Sequence, residues 1–241
     1  MGRAAPDTPG LRRLFGRKRS HRLRPARAEA LARRTGDLGF ASTAGPIDPL
    51  ALFRARGLGA AGIVLEIGFG AGEHLIAEAA RCAELGFLGI EPFRDGFARA
   101  VAEVDRLGLE NVLLEDADAR DILERLTDAA LDRVEILYPD PWPKRRHHKR
   151  RIVSPATLKE LARVLKDGGE LRFASDIAGY TDWTLEHVLA NGGFEWPAGR
   201  AADWREPWPH WPGTRYEAKA LAAGRRPAYL RFVRRARQEK G

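Results

Sequence analysis

The stretch Val64-Leu65-Glu66-Ile67-Gly68-Phe69-Gly70-Ala71-Gly72-Glu73-His74-Leu75 decides how this chain folds. It begins as a short apolar run, passes through three glycines spaced G-x-G-x-G, and continues in residues that suit a helix. Glycine has no Cβ, so the backbone here can turn sharply and come close to a ligand. The stretch therefore predicts a strand, a tight ligand-binding turn and a helix, in that order.

The regions around this stretch alternate between strand and helix patterns. Short apolar runs are separated by segments of helical period, and this alternation predicts an α/β fold with a mostly parallel central sheet flanked by helices. A Trp- and Pro-rich segment at 204–213 cannot form a regular helix,. The predicted strands are 63–67, 87–90, 112–114, 134–138, 171–174 and a late strand at 229–233; the predicted helix faces are Phe97, Val101, Val104 and Leu107, and, after Ser154 and Pro155, Leu158, Leu161 and Leu165,.

Acidic residues close three successive predicted strands, at the sheet edge where such folds bind ligands. Glu66 precedes the glycines, where a carboxylate repels phosphate and attracts the positive charge of S-adenosylmethionine. Glu91 is placed to accept hydrogen bonds from a ribose diol, and Asp118 to accept them from the adenine amino group,. A nicotinamide cofactor is the alternative, although the dinucleotide spacing G-x-G-x-x-G is absent. Any one of these acids alone is better explained as a loop or N-cap residue.

Charge is strongly segregated along the chain. The 241 residues carry a formal net charge of +8, yet residues 1–34 hold eleven Arg or Lys against two acids. Segments 144–151 and 225–241 are also basic, and the remainder is acidic. This distribution favours a nucleic-acid binder, although a basic arm also suits an acidic membrane surface or an organelle transit peptide. Residues 1–45 are predicted to be a flexible basic arm, and 46–241 the folded domain.

The composition also restricts the compartment. Cys82 is the only cysteine, so no disulfide or Cys-based metal site can form within the chain,. No run approaches the ~18 apolar residues that cross a membrane, and the N-terminus lacks the apolar core of a secretion signal. A reducing compartment, the cytoplasm, is therefore expected.

A second informative stretch is Tyr138-Pro139-Asp140-Pro141-Trp142-Pro143-Lys144. Its three prolines remove backbone donors and restrict φ, so Asp140 is expected on a rigid, non-helical segment. Six Arg and Lys side chains in 144–151 have the charge density that phosphate backbones attract,. The stretch predicts chemistry on a nucleic acid. The alternatives are that Asp140 only caps a turn and that the basic run is a solvated charged face.

Six motifs carry a family resemblance: Glu66-Ile67-Gly68-Phe69-Gly70, Gly89-Ile90-Glu91, Tyr138 through Lys144, Arg146 through Arg151, Ala174-Ser175-Asp176 and Thr214-Arg215-Tyr216-Glu217. Together, over about residues 60 to 233, they resemble the bacterial tRNA (guanine-N7-)-methyltransferases. The resemblance implies a Rossmann-like class I SAM-dependent methyltransferase fold. It also implies transfer of a methyl group from S-adenosyl-L-methionine to N7 of the guanine at tRNA position 46, in the variable loop.

The resemblance assigns roles by position. Asp140 would be the catalytic residue. The cofactor-binding set would be Glu66, Gly68, Gly70, Glu91, Asp118 and Asp140. The substrate-binding set would have two parts. The residues that would contact the RNA are Lys144, Arg146, His147, His148, Lys149, Arg150 and Arg151. The other residues on the substrate side would be Asp176, Thr214, Arg215, Tyr216 and Glu217. Two features depart from the family pattern: the long basic arm, and the lack of a glycine in Ala218-Lys219-Ala220-Leu221.

The expected chemistry agrees with these residue types. Guanine N7 carries a lone pair and no proton, so catalysis is mostly alignment and charge. Asp140, Asp176 and Glu217 are assigned to gripping or polarising the base, and Trp142 or Tyr216 to stacking on it. As alternatives, Asp176 would N-cap the next helix, and Glu217 would be a surface acid paired with Lys219 or Arg215.

Two rival functions explain part of the pattern. A non-enzymatic RNA-binding module would use the basic segments, and a small-molecule methyltransferase or dehydrogenase would use the glycine turn. No metal is predicted, because the adjacent His147 and His148 lack an accompanying acid and suit RNA contact better. The sequence leaves open whether the chain is a monomer or a homodimer.

Overall fold

A computed structural model describes residues 25–41 and 45–238 of the chain. No helix in these ranges is both long and apolar enough to cross a membrane. The strands are β1 (Gly62–Ile67), β2 (Leu85–Ile90), β3 (Val112–Glu115), β4 (Leu131–Leu137), β5 (Leu165–Ser175), β6 (Phe194–Glu195) and β7 (Ala228–Arg234). The helices are α1 (Pro25–Leu38), α2 (Pro49–Arg54), α3 (Glu73–Arg81), α4 (Arg94–Leu107), α5 (Ala119–Leu123), α6 (Pro155–Val164), α7 (Ala178–Asn191), α8 (Ala202–Arg205) and α9 (Arg215–Ala222), with a 3-10 helix at Arg145–Arg150.

The strands form one seven-stranded sheet in the order β3-β2-β1-β4-β5-β7-β6. The first five strands in this order pair in parallel, whereas β7 is antiparallel to both β5 and β6. Parallel neighbours require crossover connections, which explains why helices separate these strands along the chain. The predicted α/β fold with a mostly parallel sheet is confirmed, and each of the six predicted strands is present.

Helices cover both faces of the sheet. Ile63, Leu65 and Ile67 of β1 belong to one apolar cluster, and Val64 belongs to a second, because successive side chains of a strand point to opposite faces,. The first cluster includes side chains of α6 and α7, and the second includes side chains of α3 and α4. Burial on both faces makes β1 a central strand, so the turn that follows it is held by rigid structure.

Part of the predicted flexible arm packs on the domain. Helix α1 lies against α4, and its Leu38 belongs to the second apolar cluster. The backbone amides of Phe40 and Ala41 donate to the Glu115 carboxylate at 3.0 and 2.9 Å. These contacts involve residues 25–41 only, and the flexibility of the basic arm stays a prediction. Residues 1–24 lie outside the described ranges, and the domain boundary stays a prediction.

Two predicted helix positions differ from the structure. Leu165 was predicted to continue the helix face of Leu158 and Leu161, but the helix ends at Val164 and Leu165 pairs with Leu131 as the first residue of β5. Leu107 was predicted to share a helix face with Phe97, Val101 and Val104; it lies in α4, but it is 41% exposed whereas those three are buried. It is the last residue before Gly108, whose φ of 63° ends the helix. Both differences arise at helix ends, where a periodic pattern carries no information about where the helix stops.

We predict that Gly96→Ala destabilises the fold. A methyl group at this position, in the first turn of α4, would lie 2.3 Å from the carbonyl oxygen of Gly70. The backbones would have to separate, at about 1–3 kcal/mol. Urea unfolding measures the difference. The control is Gly179→Ala in the first turn of α7, where a methyl group meets no atom within 4 Å. Equal unfolding free energies for the two variants would contradict the close approach of α4 to the glycine turn.

Candidate active site

One cavity of about 420 Å³ opens beyond the carboxyl ends of β1, β2 and β4. This is the edge at which parallel α/β sheets bind ligands, and the volume suits a small-molecule ligand. The glycine turn and the segment containing Asp140 line the same cavity. Its walls are Ile67, Gly68, Gly70, Ile90, Glu91, Pro92, Phe93, Asp118, Ala119, Arg120, Tyr138, Pro139, Asp140, Trp142, Arg150, Ile152 and Tyr216.

The glycine turn is held by the side chain of Glu91. Gly68 and Gly70 have φ angles of 76° and 62°, in the left-handed region that glycine adopts without strain,. The Gly70 amide donates to Oε2 of Glu91 at 2.7 Å, and the Phe93 amide donates to Oε1 at 2.7 Å. Glu91 therefore joins the turn after β1 to the start of α4, in addition to lining the cavity.

The environment of Glu91 disfavours its ionised form. Burial raises the pKa of this carboxyl from 4.5 to about 7; the hydrogen bonds from Phe93 and Gly70 oppose this, and the charges of Asp140 and Asp116 add to it. Glu91 is thus a buried acid whose immediate partners are backbone amides. A positive charge entering the cavity would favour its ionisation.

Asp118 lines the cavity, but both of its oxygens have partners in the protein. It is the N-cap of α5 and accepts the Arg120 amide at 2.9 Å. The Arg120 guanidinium donates to both carboxylate oxygens, at 2.9 and 2.7 Å. The predicted contact with an adenine amino group stays a prediction, and the ion pair shows that Arg120 shares that part of the cavity.

Asp140 lies on a strained segment. The preceding Tyr138 and the following Trp142 have φ angles of 50° and 42°, although neither is glycine. Such conformations cost about 1–3 kcal/mol each and persist where the surrounding structure imposes them. Asp140 lines the cavity near the glycine turn, and desolvation raises its pKa above the ordinary value. The prolines therefore account for only part of its rigidity, since the strained flanking residues also restrict the segment.

Arg151 supports the Asp140 segment from inside the protein, and its contact with RNA stays a prediction. Its side chain is 5% exposed, and its Nε donates to the Pro141 carbonyl oxygen at 2.9 Å. Its guanidinium lies 4.7 and 4.8 Å from the ring centroids of Tyr180 and Trp183. Arginine stacks well on aromatic rings, which makes it suited to this buried position.

The rest of the basic run forms a surface beside the cavity. Lys144, Arg145, Arg146 and Lys149 are exposed on and before the 3-10 helix, and we call these four residues the basic surface. Arg150 lines the cavity, with its guanidinium 4.8 Å from the Trp142 ring centroid.

The two histidines of the run are half-buried. The His147 ring meets the edge of Trp142 at 5.9 Å, and His148 meets Trp183 at 5.1 Å. Burial and the neighbouring cations lower the pKa of His147. Both rings therefore pack against tryptophans while remaining partly accessible, and their contact with RNA stays a prediction.

The Thr214–Glu217 segment contributes structure as well as cavity wall. Thr214 and Glu217 form the capping box of α9, and Glu217 is 8% exposed. Its Oε2 accepts the Trp211 indole N–H at 2.8 Å, and its Oε1 accepts the Tyr229 hydroxyl. Because Glu217 is buried, it is not a surface acid paired with Lys219 or Arg215. Its contact with the base stays a prediction.

The other two residues of that segment face the glycine turn. Tyr216 lines the cavity and is 45% exposed, so its ring is accessible to a ligand. Nε of Arg215 lies 3.7 Å from the Glu73 carboxylate, and a methyl group at Gly70 would come 3.2 Å from its guanidinium. The structure thus brings the predicted substrate segment and the predicted cofactor turn together.

Two residues that were predicted to contact ligands form ion pairs with other residues of the protein. Glu66 is buried behind the turn, and its Oε2 lies 2.8 Å from Nδ1 of His74. Asp176 does not line the cavity and pairs with Arg225 at 2.5 Å. It is also not an N-cap, since Ile177 occupies that position of α7. Sequence reasoning missed His74 and Arg225 because the pairing of charges that the fold brings together leaves no pattern along a chain.

We predict that the free energy of unfolding falls as the pH rises, because the pKa of Glu91 is raised in the folded state. Between pH 4.5 and about 7 the unfolded state ionises while folded Glu91 stays protonated, so the free energy of unfolding falls across this window,. The loss is on the order of 3 kcal/mol. Urea unfolding at pH 5 and pH 8 measures it, and Glu91→Gln should remove that part of the pH dependence. Parallel profiles for both proteins would contradict the raised pKa.

Comparisons with known proteins agree with this architecture. Solved structures with the same fold include the 16S rRNA methyltransferase KamB, with a TM-score of 0.59, 16% identity, and coverage of 83% of this chain and 99% of that chain. Another is the 16S rRNA (adenine(1408)-N(1))-methyltransferase from Catenulisporales acidiphilia, in a mutant form with its cosubstrate SAM. It has a TM-score of 0.59, 17% identity, and coverage of 85% and 98%. At such low identity these likenesses show the fold alone.

Sequence similarity is more specific. A family model described as "Putative methyltransferase" matches residues 60–229. The tRNA (guanine-N(7)-)-methyltransferase of Azorhizobium caulinodans is 51% identical over 220 residues, which cover 91% of this chain and 94% of that protein. The protein of the same name from Mesorhizobium japonicum is 48% identical, with coverage of 92% and 94%. Identity near one half over almost the whole of both chains shows that this protein belongs to the tRNA (guanine-N(7)-)-methyltransferase family.

Proposed function

We propose that this protein transfers the methyl group of S-adenosyl-L-methionine to N7 of a guanine in the variable loop of tRNA. One observation carries the proposal: the glycine turn, Asp140, Trp142 and Tyr216 line a single cavity. A methyl donor and an acceptor base can therefore meet there. The activity named for the relatives supports the same reaction. A tRNA substrate also favours the cytoplasm as the location of the protein.

The charge of the cavity fits a cationic cofactor. Glu91 and Asp140 both line it, and neither forms an ion pair with another side chain in the described part of the chain. The charge of Asp140 raises the pKa of Glu91, so a positive group near both would relieve their repulsion,. When bound, S-adenosyl-L-methionine supplies a methyl group on positively charged sulfur. Gly68, Gly70, Glu91 and Asp118 are the residues that would hold it.

The residues around the base would act by position and charge. No side chain needs to remove a proton, because guanine N7 presents a free lone pair. Asp140 faces the cavity from a strained segment, and its carboxylate would stabilise the positive charge that develops on the purine ring as N7 gains the methyl group,. Trp142 and Tyr216 would stack on the base.

The basic surface would hold the RNA backbone beside the cavity opening. Its four side chains, Lys144, Arg145, Arg146 and Lys149, are exposed to solvent. Arg151 would act indirectly, by supporting the Asp140 segment, and Glu217 by capping the helix that carries Tyr216.

The direct test is to incubate the protein with methyl-labelled S-adenosyl-L-methionine and bulk tRNA and to identify the modified nucleoside. We expect label in 7-methylguanosine. Absence of cofactor affinity would favour an RNA-binding module instead, and label transfer only to small molecules would favour the other rival. Label in a different nucleoside would contradict the proposed acceptor atom.

We predict that Asp140→Asn lowers the methylation rate constant by at least about 100-fold, the size of effect seen when one group that stabilises a transition-state charge is removed. Cofactor affinity should fall by less, because the amide keeps the shape of the side chain. Single-turnover kinetics and equilibrium binding measure the two effects. The control is Asp182→Asn, an exposed acid of α7 that does not line the cavity. A near-normal rate for Asp140→Asn would show that Asp140 is not catalytic.

We predict that the pair Arg146→Ala and Lys149→Ala weakens tRNA binding and reduces its salt dependence. Removing one cation that neutralises a phosphate should lower the slope of log affinity against log salt by about 1. Cofactor affinity should not change. The matched control removes Arg54 and Lys159, two exposed cations on α2 and α6 that do not line the cavity. If both pairs reduce the slope equally, binding depends on net charge and not on this surface.

A further inference from the structure

A buried histidine lies directly behind the glycine turn. His74, in the first turn of α3, is 4% exposed. Its Nδ1 is 2.8 Å from Oε2 of Glu66 and 3.6 Å from Oε2 of Glu135. Glu66 precedes the turn and His74 follows it, so this contact closes the base of the loop that carries Gly68 and Gly70.

The charged groups around His74 favour its protonated form. Burial lowers the pKa of the imidazole, but the nearby Glu66, Glu135 and Glu78 raise it, and the net effect is upward. Arg133 and Arg172, from β4 and β5, approach Oε1 of Glu135 at 3.1 and 3.6 Å, so Glu135 has other cations. Within the described ranges, His74 is the ion-pair partner of Glu66. Its Nδ1–H therefore donates to Glu66.

The His74 ring also contacts a tryptophan that is hydrogen-bonded to the first turn of α9. It packs on Trp211, with 4.9 Å between the ring centroids and 40° between the ring planes. The Trp211 indole N–H donates to Oε2 of Glu217 at 2.8 Å. Glu217 in turn closes the capping box with Thr214, at the start of the helix that carries Arg215 and Tyr216. A continuous path of contacts thus runs from the glycine turn to α9.

We propose that His74 is a positioning residue that couples the two halves of the cavity, so that occupancy of the cofactor half strengthens binding of tRNA at the α9 half. Movement of the glycine turn shifts the His74 ring against Trp211, and the indole transmits the shift to the cap of α9. This inference rests on the proposed function, because it assumes that the two halves bind cofactor and tRNA. By linkage, tRNA must strengthen cofactor binding by the same factor.

The test measures this coupling by equilibrium binding of S-adenosylhomocysteine with and without saturating tRNA. For the unaltered protein we expect tRNA to tighten S-adenosylhomocysteine binding by at least about 5-fold, the lower end of typical coupling. His74→Asn retains a donor near Glu66 but removes the ring that packs on Trp211. Trp211→Phe retains a ring but removes the N–H that reaches Glu217. Each variant should reduce the coupling to within about 2-fold, and the double variant should reduce it no further.

The outcomes separate the possibilities. Coupling that persists in His74→Asn, or an unaltered protein without coupling, would overturn the inference. Reduced stability with unchanged coupling would also overturn it, because a purely structural role lowers the unfolding midpoint and leaves the coupling intact. Trp211→Phe is the milder change and keeps the test informative if His74→Asn does not fold. The proposed function has its own readout, since the unaltered protein forms or fails to form 7-methylguanosine whatever the coupling.

Discussion

The cavity depends on the two hydrogen bonds that the backbone amides of Gly70 and Phe93 donate to the Glu91 carboxylate. Because each oxygen accepts one amide, a single side chain at the end of β2 holds both the glycine turn and the start of α4. This position also keeps the Glu91 carboxyl group buried near Asp140, and burial raises the pKa of Glu91 to about 7. A cation that binds beside such a buried carboxyl group stabilises its ionised form.

The segment after β4 shows how a strained conformation is maintained. Tyr138 and Trp142 adopt left-handed backbone angles around Asp140, and the structure supports them from two sides. The Tyr138 amide donates to the Ala174 carbonyl oxygen at 2.8 Å, and Arg151 donates to the Pro141 carbonyl oxygen. The basic run therefore has two parts. Arg151 is buried and supports the Asp140 segment, whereas its exposed neighbours are accessible to a polyanion.

Much of the site could be predicted from the sequence, because local constraints leave local patterns. Gly68 and Gly70 were recognisable since few other residues tolerate such a turn, and Asp140 since prolines surround it. The assignments of Glu217, Asp176 and Arg151 to substrate contact were drawn from position in a motif. In the structure their polar atoms bind Trp211 and Tyr229, Arg225, and the Pro141 carbonyl oxygen. A motif identifies a residue, but it does not show which group the side chain of that residue contacts.

By itself, the sequence determined the strand and helix alternation, the mostly parallel sheet and the chemistry of its carboxyl edge. These follow from hydrophobic period and from the backbone limits of glycine and proline, which act over a few residues. Only the tertiary structure decided that His74 pairs with Glu66, that Glu91 holds the glycine turn, and that α1 packs against α4. The physical reason is that these contacts depend on how the folded chain brings side chains together, which a local pattern does not record. A buried charged group needs a partner, and the fold decides which partner is near.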